Sequence, residues 1–371
     1  MSELVDRSAR VSTLELFFDL VFVFTITQLT NVLVHGHGVS VAVHVVVMLA
    51  VVWWMYDGYA WLTNAIATDL LRFRLLLLGG MGAFLVISLA IPTAYSQNGL
   101  AFGLGYLVVV LLHGGMYAKG TSVSEVAAIL RIVPFNLSAA ALVLVGGILG
   151  GRVQDVLWIA AALLLWVTPR FTSTEGFVIA AEHFVERHGL VVIIALGESV
   201  VVVGAGISGD PIGLRLVVVA LLSLALSAAL WWLYFRDEEA VEQAMVDADD
   251  THRARLALTG FGYWHYGLLL GIVAVAAGLK RVTGDPYGHL AQSFGIELAV
   301  GVALFTACTV GFRRTLGLGT SRSRLVAAAA ALATIPLGTE LSAVVQLAAL
   351  TAIVVAALLV EAREEVVELE V

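Results

Sequence analysis

The apolar run 190–206 carries one acid, Glu198, separated from Arg187, the nearest charge upstream, by a largely apolar stretch. An ionisable side chain near a bilayer midplane costs about 2.5–3.5 kcal/mol on insertion scales, so it is usually retained for a purpose. A carboxylic acid there is a candidate to hold and release a proton or to meet a passing cation. Gly197, Gly204 and Gly206 allow close approach of another helix, and Ser199 can hydrogen-bond across such a contact. The structural alternative is a protonated Glu198 that only joins two helices.

A second group opens the chain. Ser12 with Glu15 three residues later reads as a capping box, and an acid in a first turn complements the helix dipole. Asp19 lies one turn beyond Glu15 on the same face, among Phe17, Phe18 and Phe22, where a carboxylate facing lipid is not tolerated. It therefore needs a partner, Arg72 or Arg74 at the same level, as a structural ion pair or as part of a gate. Glu186 and Arg187 open the span that leads to Glu198, which lies ~18 Å beyond Glu186 at ~1.5 Å per residue. Asp57, Glu297, His44, His113 and His265 are isolated polar positions, and a lone histidine in an apolar span reads first as a packing residue. Glu182, His183 and Glu186 lack the His-Glu-x-x-His pattern, and His35-Gly-His37 is no stronger, so no metal is expected. No cofactor is expected either, because neither a Walker A loop nor a nucleophile elbow occurs.

These residues must be positioned by membrane helices. Hydrophobic residues make up 60% of the 371 and charged ones 13%, with a mean hydropathy of +0.97, which places the chain among polytopic membrane proteins. One cysteine, Cys308, excludes an intramolecular disulfide and a thiolate cluster. The net charge of −8 argues against a nucleic-acid partner. Apolar runs near 14–34, 41–62, 72–91, 99–118, 132–149, 153–168, 187–206, 212–235, 257–277, 292–312, 324–338 and 341–360 predict twelve transmembrane helices in an all-α fold. Alternate loops, beginning with the N-terminal segment, hold sixteen Lys and Arg, whereas the opposite loops hold only Arg152, Arg215, Lys280 and Arg281. This asymmetry predicts cytoplasmic termini in a bacterial inner membrane.

An internal repeat fits the same count. The pair Trp53-Trp54 with Tyr56 is followed by Asp69, Arg72 and Arg74, and the pair Trp231-Trp232 with Tyr234 by Asp250, Arg253 and Arg255. The shared pattern, WWxY then DxxRxRL, predicts two parallel six-helix repeats at 14–170 and 182–361. A short cytoplasmic segment, 1–13, precedes them and an acidic tail, 362–371, follows.

The stretch ELFFDLVFVFTITQ from Glu15 to Gln28, with ERHGLVVIIALGES from Glu186 to Ser199, resembles the bacterial low temperature requirement A family. The resemblance implies a polytopic membrane protein connected with growth in the cold and supplies no substrate. Phe17 to Asp19 is also similar to the Phe-Ser-Asp opening of potassium channels built from six-helix repeats. Phe18 replaces the serine, no arginine directly precedes the motif, and Gly189-Leu190 stand where the second aspartate would fall.

Three functions follow as expectations. The first is a secondary transporter or a proton- or cation-conducting protein for a small solute or cation. In it Glu198, Asp19, Glu15 and Ser199 handle the ion, supported by Glu186, Arg187, Asp57, Arg72 and Arg253. The second is a membrane enzyme acting on lipid or isoprenoid groups through residues 182–188. The third is a structural or stress-response protein whose buried acids lock helices. The lipid bilayer is the expected surrounding, and a homo-oligomer is compatible with the sequence.

Overall fold

The computed structural model describes residues 11–36, 38–66, 70–206 and 213–369; Arg7, Arg10, His37 and Asp69 lie outside them. Among the described residues, twelve helices are long and apolar enough to cross a membrane, as the apolar runs predict. Large apolar side chains such as Leu111, Leu163, Trp232 and Leu359 stay exposed along them, as a hydrocarbon solvent allows. By contacts the chain forms two compact units. One holds the chain up to Val32 with Val39–Val191 and Glu242–Gly262, and the other holds Leu33–Gly38, Val192–Val241 and Tyr263–Val371.

In the first unit, α1 (Thr13–His35) starts at the expected box: Glu15 N–H donates to Ser12 Oγ at 3.3 Å, and Ser12 N–H to Glu15 Oε2 at 2.9 Å. Its aromatic residues pack on α2 (Val39–Ala65), with the Phe22 and Tyr56 rings 4.0 Å apart and Phe18 stacked on Tyr59 at 5.1 Å. Thr25 of α1 hydrogen-bonds Ser88 of α3 (Leu71–Ala90) at 2.8 Å.

Helices α4 (Gly99–Gly120), α5 (Val123–Leu149) and α6 (Gly151–Val167) follow as antiparallel neighbours. The apolar run predicts a short fifth span beginning at 132, but α5 starts at 123. A full capping box of Ser122 and Glu125 begins it there, and Arg131 turns back to the carbonyls of Ser173 and Glu175. Gly99 and Gly147 let the backbones of α4 and α5 touch: a Cβ on Gly99 would lie 2.7 Å from the Gly147 carbonyl, and one on Gly147 would collide with Gly99. Gly147→Ala should therefore destabilise the protein by about 1–3 kcal/mol, the usual effect of overpacking, read as a lower melting temperature in detergent.

Helix α7 (Ala181–Gly206) begins six residues before the predicted start of its span, which takes Glu182, His183 and Glu186 into the helix; its residues through Val191 belong to the first unit. Arg253, on α10 (Asp250–Leu256), binds the carbonyls of Met245, Val246 and Ala248 at the end of α9 (Glu238–Asp247) and that of Ile179. A π-helical segment, Ala257–Trp264, comes next. The Gly262 carbonyl in it accepts the Trp53 indole N–H at 2.7 Å.

The second unit contains α8 (Leu214–Phe235), α11 (His265–Gly284), α12 (Gln292–Thr315), α13 (Arg322–Leu332) and α14 (Ala343–Leu369). Helices α11 and α12 meet through Gly271 and Gly301, where a Cβ on Gly271 would lie 2.9 Å from the Gly301 carbonyl. A cluster of charges joins α8, α12, α13 and α14. Arg324 is buried and grips Glu361 at 2.8 and 3.0 Å, while Asp237 contacts both Arg313 and Arg324.

Candidate functional site

Arg187, 1% exposed, organises the buried polar cluster of the first unit. It donates to Glu15 Oε1 at 2.9 Å, to Asp19 Oδ1 at 3.4 Å and to the Thr63 hydroxyl. Its guanidinium also lies 5.7 Å from the Phe18 ring centre and 5.9 Å from that of Tyr56. Glu15 is therefore both cap and ion-pair partner: Oε2 serves Ser12 and His183, and Oε1 serves Arg187. The partner of Asp19 is Arg187 on α7. Arg72, one of the two partners expected from the sequence, is exposed and has its guanidinium 4.7 Å from the Phe73 ring centre.

Asp19 is fully buried. Its Oδ1 accepts a short bond from Tyr56 O–H at 2.5 Å as well as the one from Arg187, whereas Oδ2 has no hydrogen-bond partner among the described residues. Glu15 and Asp19 thus share one guanidinium, so the trio carries one negative charge in excess when both acids are ionised. Burial makes such an excess costly unless a proton or a cation offsets it.

The two histidines on α7 are set differently by their partners. Asn64 accepts the Ala180 N–H at 2.8 Å, which turns its amide nitrogen toward His183 Nδ1 at 3.2 Å. That ring nitrogen must accept, so Nε2 carries the hydrogen and faces Glu15 at 3.3 Å. His188 has the opposite constraint. Its Nδ1 faces the Phe184 carbonyl at 2.9 Å and must donate, and its Nε2 faces Asp57 Oδ1 at 3.1 Å. That second contact needs one more proton, resting on either atom, because an unprotonated nitrogen and a carboxylate both only accept. The His188–Asp57 pair therefore shares one proton in the interior.

Asp57 also lines a small, partly open cleft with Trp54, Trp61, His113, Tyr117 and Phe177. The π-helical segment closes on this place from the other side: the Phe261 ring lies 5.0 Å from His188, and a Cβ on Gly262 would lie 3.4 Å from Asp57 Oδ2. Among the described residues, no three His, Cys, Asp or Glu side chains converge as a metal site. The chemistry within reach is proton exchange and ion pairing.

The family described as bacterial low temperature requirement A protein, LtrA, matches residues 10–359 of this sequence. The chain belongs to that family. An uncharacterized protein of Rhizobium meliloti (strain 1021) is 28% identical over 314 residues, covering 81% of this LtrA chain and 76% of the relative.

Of the site residues named from the LtrA sequence, the structure gathers Glu15, Asp19, Asp57 and Arg187. Glu186 lies beside them on α7 and accepts the Val11 N–H at 3.1 Å. Glu198 and Ser199 lie further along α7, in the second unit; both are buried, and Ser199 Oγ has no hydrogen-bond partner among the described residues. Arg72 and Arg253 lie outside the cluster, Arg253 serving backbone carbonyls. The sequence does not mark Tyr56 and Thr63 as site residues; it offers His183 with Glu182 and Glu186 as a weak metal group, and His188 only as part of the run 182–188. Tyr56-Asp57 directly after a tryptophan pair, and Arg187-His188 inside an apolar helix, were the signals available for them.

Proposed function

We propose that this LtrA protein is a secondary transporter, or a proton- or cation-conducting protein, whose ion-handling site is the Glu15–Asp19–Arg187 trio with the adjoining His188–Asp57 pair. One observation carries the reading: a fully buried carboxylate, Asp19, whose second oxygen has no hydrogen-bond partner among the described residues, in a trio with two acids and one base. Intramembrane acids of this kind mark ion and proton paths, whereas a lock between helices works best when every charge is matched. Glu198, with Ser199, is a second proton- or cation-handling position in the same reading. The two parallel repeats and the cytoplasmic placement of both termini belong to the same reading, supported by the WWxY pattern and by the Lys and Arg asymmetry of the loops.

Proton and potassium flux into liposomes holding the purified protein tests this. Asp19→Asn should leave the protein folded, because Arg187 keeps Glu15, and should lower flux about 10²-fold, the scale of a positioned proton-transfer group. Glu198→Gln should lower it as well. Undiminished flux in Asp19→Asn would remove Asp19 from the path. Absence of proton- or cation-coupled flux in folded wild type would overturn the transport reading in favour of a lock between helices.

A further inference from the structure

The cleft beside Asp57 has a composition that names a ligand class. Trp54, Trp61, Tyr117 and Phe177 give it aromatic walls, and the Trp61 and Phe177 rings meet edge to face at 5.3 Å. The polar groups near them are occupied: Trp54 N–H donates to Asn136 at 3.0 Å, and His113 Nε2 lies 3.0 Å from the Gly58 carbonyl, to which it must donate. Among the described residues that line the cleft there is no lysine or arginine, and Asp57 carries the one formal charge. Aromatic faces with a single carboxylate suit a cation with an apolar body, attracted by the ring quadrupoles and paired with the acid.

The same carboxylate holds the proton it shares with His188. The groups facing this pair are His113 and Tyr117 from α4, Asn136 from α5, and Phe261 and Gly262 from the π-helical segment, while Asp19 of α1 belongs to the adjoining trio. None of them is a permanent cation. Arg187, the permanent cation next to His188 on α7, is held by Glu15 and Asp19, so a bound organic cation would compete for Asp57 with the shared proton.

Resting on the transport reading above, we propose that the aromatic cleft takes a hydrophobic organic cation in exchange for the proton shared by Asp57 and His188. As the cation enters, the proton between Nε2 and Oδ1 leaves to solvent. His188 stays neutral with its Nδ1–H on the Phe184 carbonyl, and the Asp57 carboxylate pairs with the cation. One positive charge replaces another, so the site keeps its net charge and the exchange is one for one.

Benzyltrimethylammonium is the appropriate probe, because it has an aromatic body and no exchangeable proton of its own. Calorimetric titration of the detergent-solubilised protein, in buffers of different ionisation enthalpy, measures both affinity and protons released. About one proton should leave per cation bound, as linkage requires when ligand and proton share one carboxylate. Asp57→Asn should abolish the release and weaken binding about 30-fold or more, as for loss of a buried charge partner. Trp61→Leu, which leaves the proton pair intact, should weaken binding roughly 2- to 30-fold with the release per bound cation unchanged. Equal binding of the neutral isostere neopentylbenzene, binding without proton release, or full affinity in Asp57→Asn would each overturn the exchange site. Flux of protons or potassium that depends on Asp19, with no binding of the probe, would sink this proposal and leave the transport reading standing. Binding with proton release in a protein that transports nothing would do the reverse.

Discussion

Replacing Arg187 by glutamine is expected to destabilise the protein by about 3–5 kcal/mol, the scale for removing one partner of a buried ion pair. The change leaves Glu15 and Asp19 buried, at 3% and 0% exposure, without the guanidinium that both of them use. Thr63 loses its donor as well. Arg187→Lys should recover only part of the loss, since a single ammonium lacks the planar fork that reaches two carboxylates at once. Adding Asp19→Asn to Arg187→Gln should restore about 0.5–3 kcal/mol, the range of coupling between residues in contact. Melting temperatures of the four proteins in one detergent decide this. If Arg187→Gln melts with wild type, the acids do not depend on the arginine, and the charge excess on which the transport reading rests disappears.

The second large effect is expected in the other unit. Glu361 accepts from Arg324 at 2.8 and 3.0 Å, from Arg236 at 3.0 Å, and from Ser321 and Ser323. Arg324 also holds the Leu233 carbonyl at 3.0 Å and Asp237 at 3.2 Å, so one residue of α13 ties the end of α8 to α14. Glu361→Gln leaves Asp237 as the one acid among the described residues in contact with Arg313 and Arg324, and it should destabilise by about 3–5 kcal/mol for the same physical reason as above. Its effect on flux should differ from that of Asp19→Asn. Here Arg324 donates through all three of its nitrogens and both Glu361 oxygens accept, and the group works as a clasp. Flux per folded molecule should therefore stay near wild type even as the melting temperature falls. A loss of flux in Glu361→Gln at full stability would show that this clasp belongs to the transport path.

The contrast between these two clusters explains how far the sequence could be read. The twelve spans follow from the chain alone, because each helix satisfies its own backbone hydrogen bonds and meets lipid with its own side chains. The start of α1 was equally local, since a serine and a glutamate three residues apart cap the helix they begin. The start of α7 was not. Hydropathy places it at Arg187, but the helix begins six residues earlier at Ala181, and the arginine inside it is neutralised by acids from α1.

Glu198 stood out in the sequence because it was isolated, which is a property of neighbours along the chain. Asp19 and Arg187 are separated by 168 residues, and His188 and Asp57 by 131. Whether a charge in an apolar helix is matched, doubly shared or left with a bare oxygen depends on which helices pack together. The sequence by itself determined membrane class, span count, helix caps and the residues able to ionise, because local hydropathy and local hydrogen bonding decide these. Only the tertiary structure decided that Glu15 and Asp19 share one arginine and that Asp57 stands between a proton-bearing histidine and an aromatic cleft. At low dielectric the energy of a charge is set by the few atoms within hydrogen-bonding reach, and the packing of distant helices supplies them.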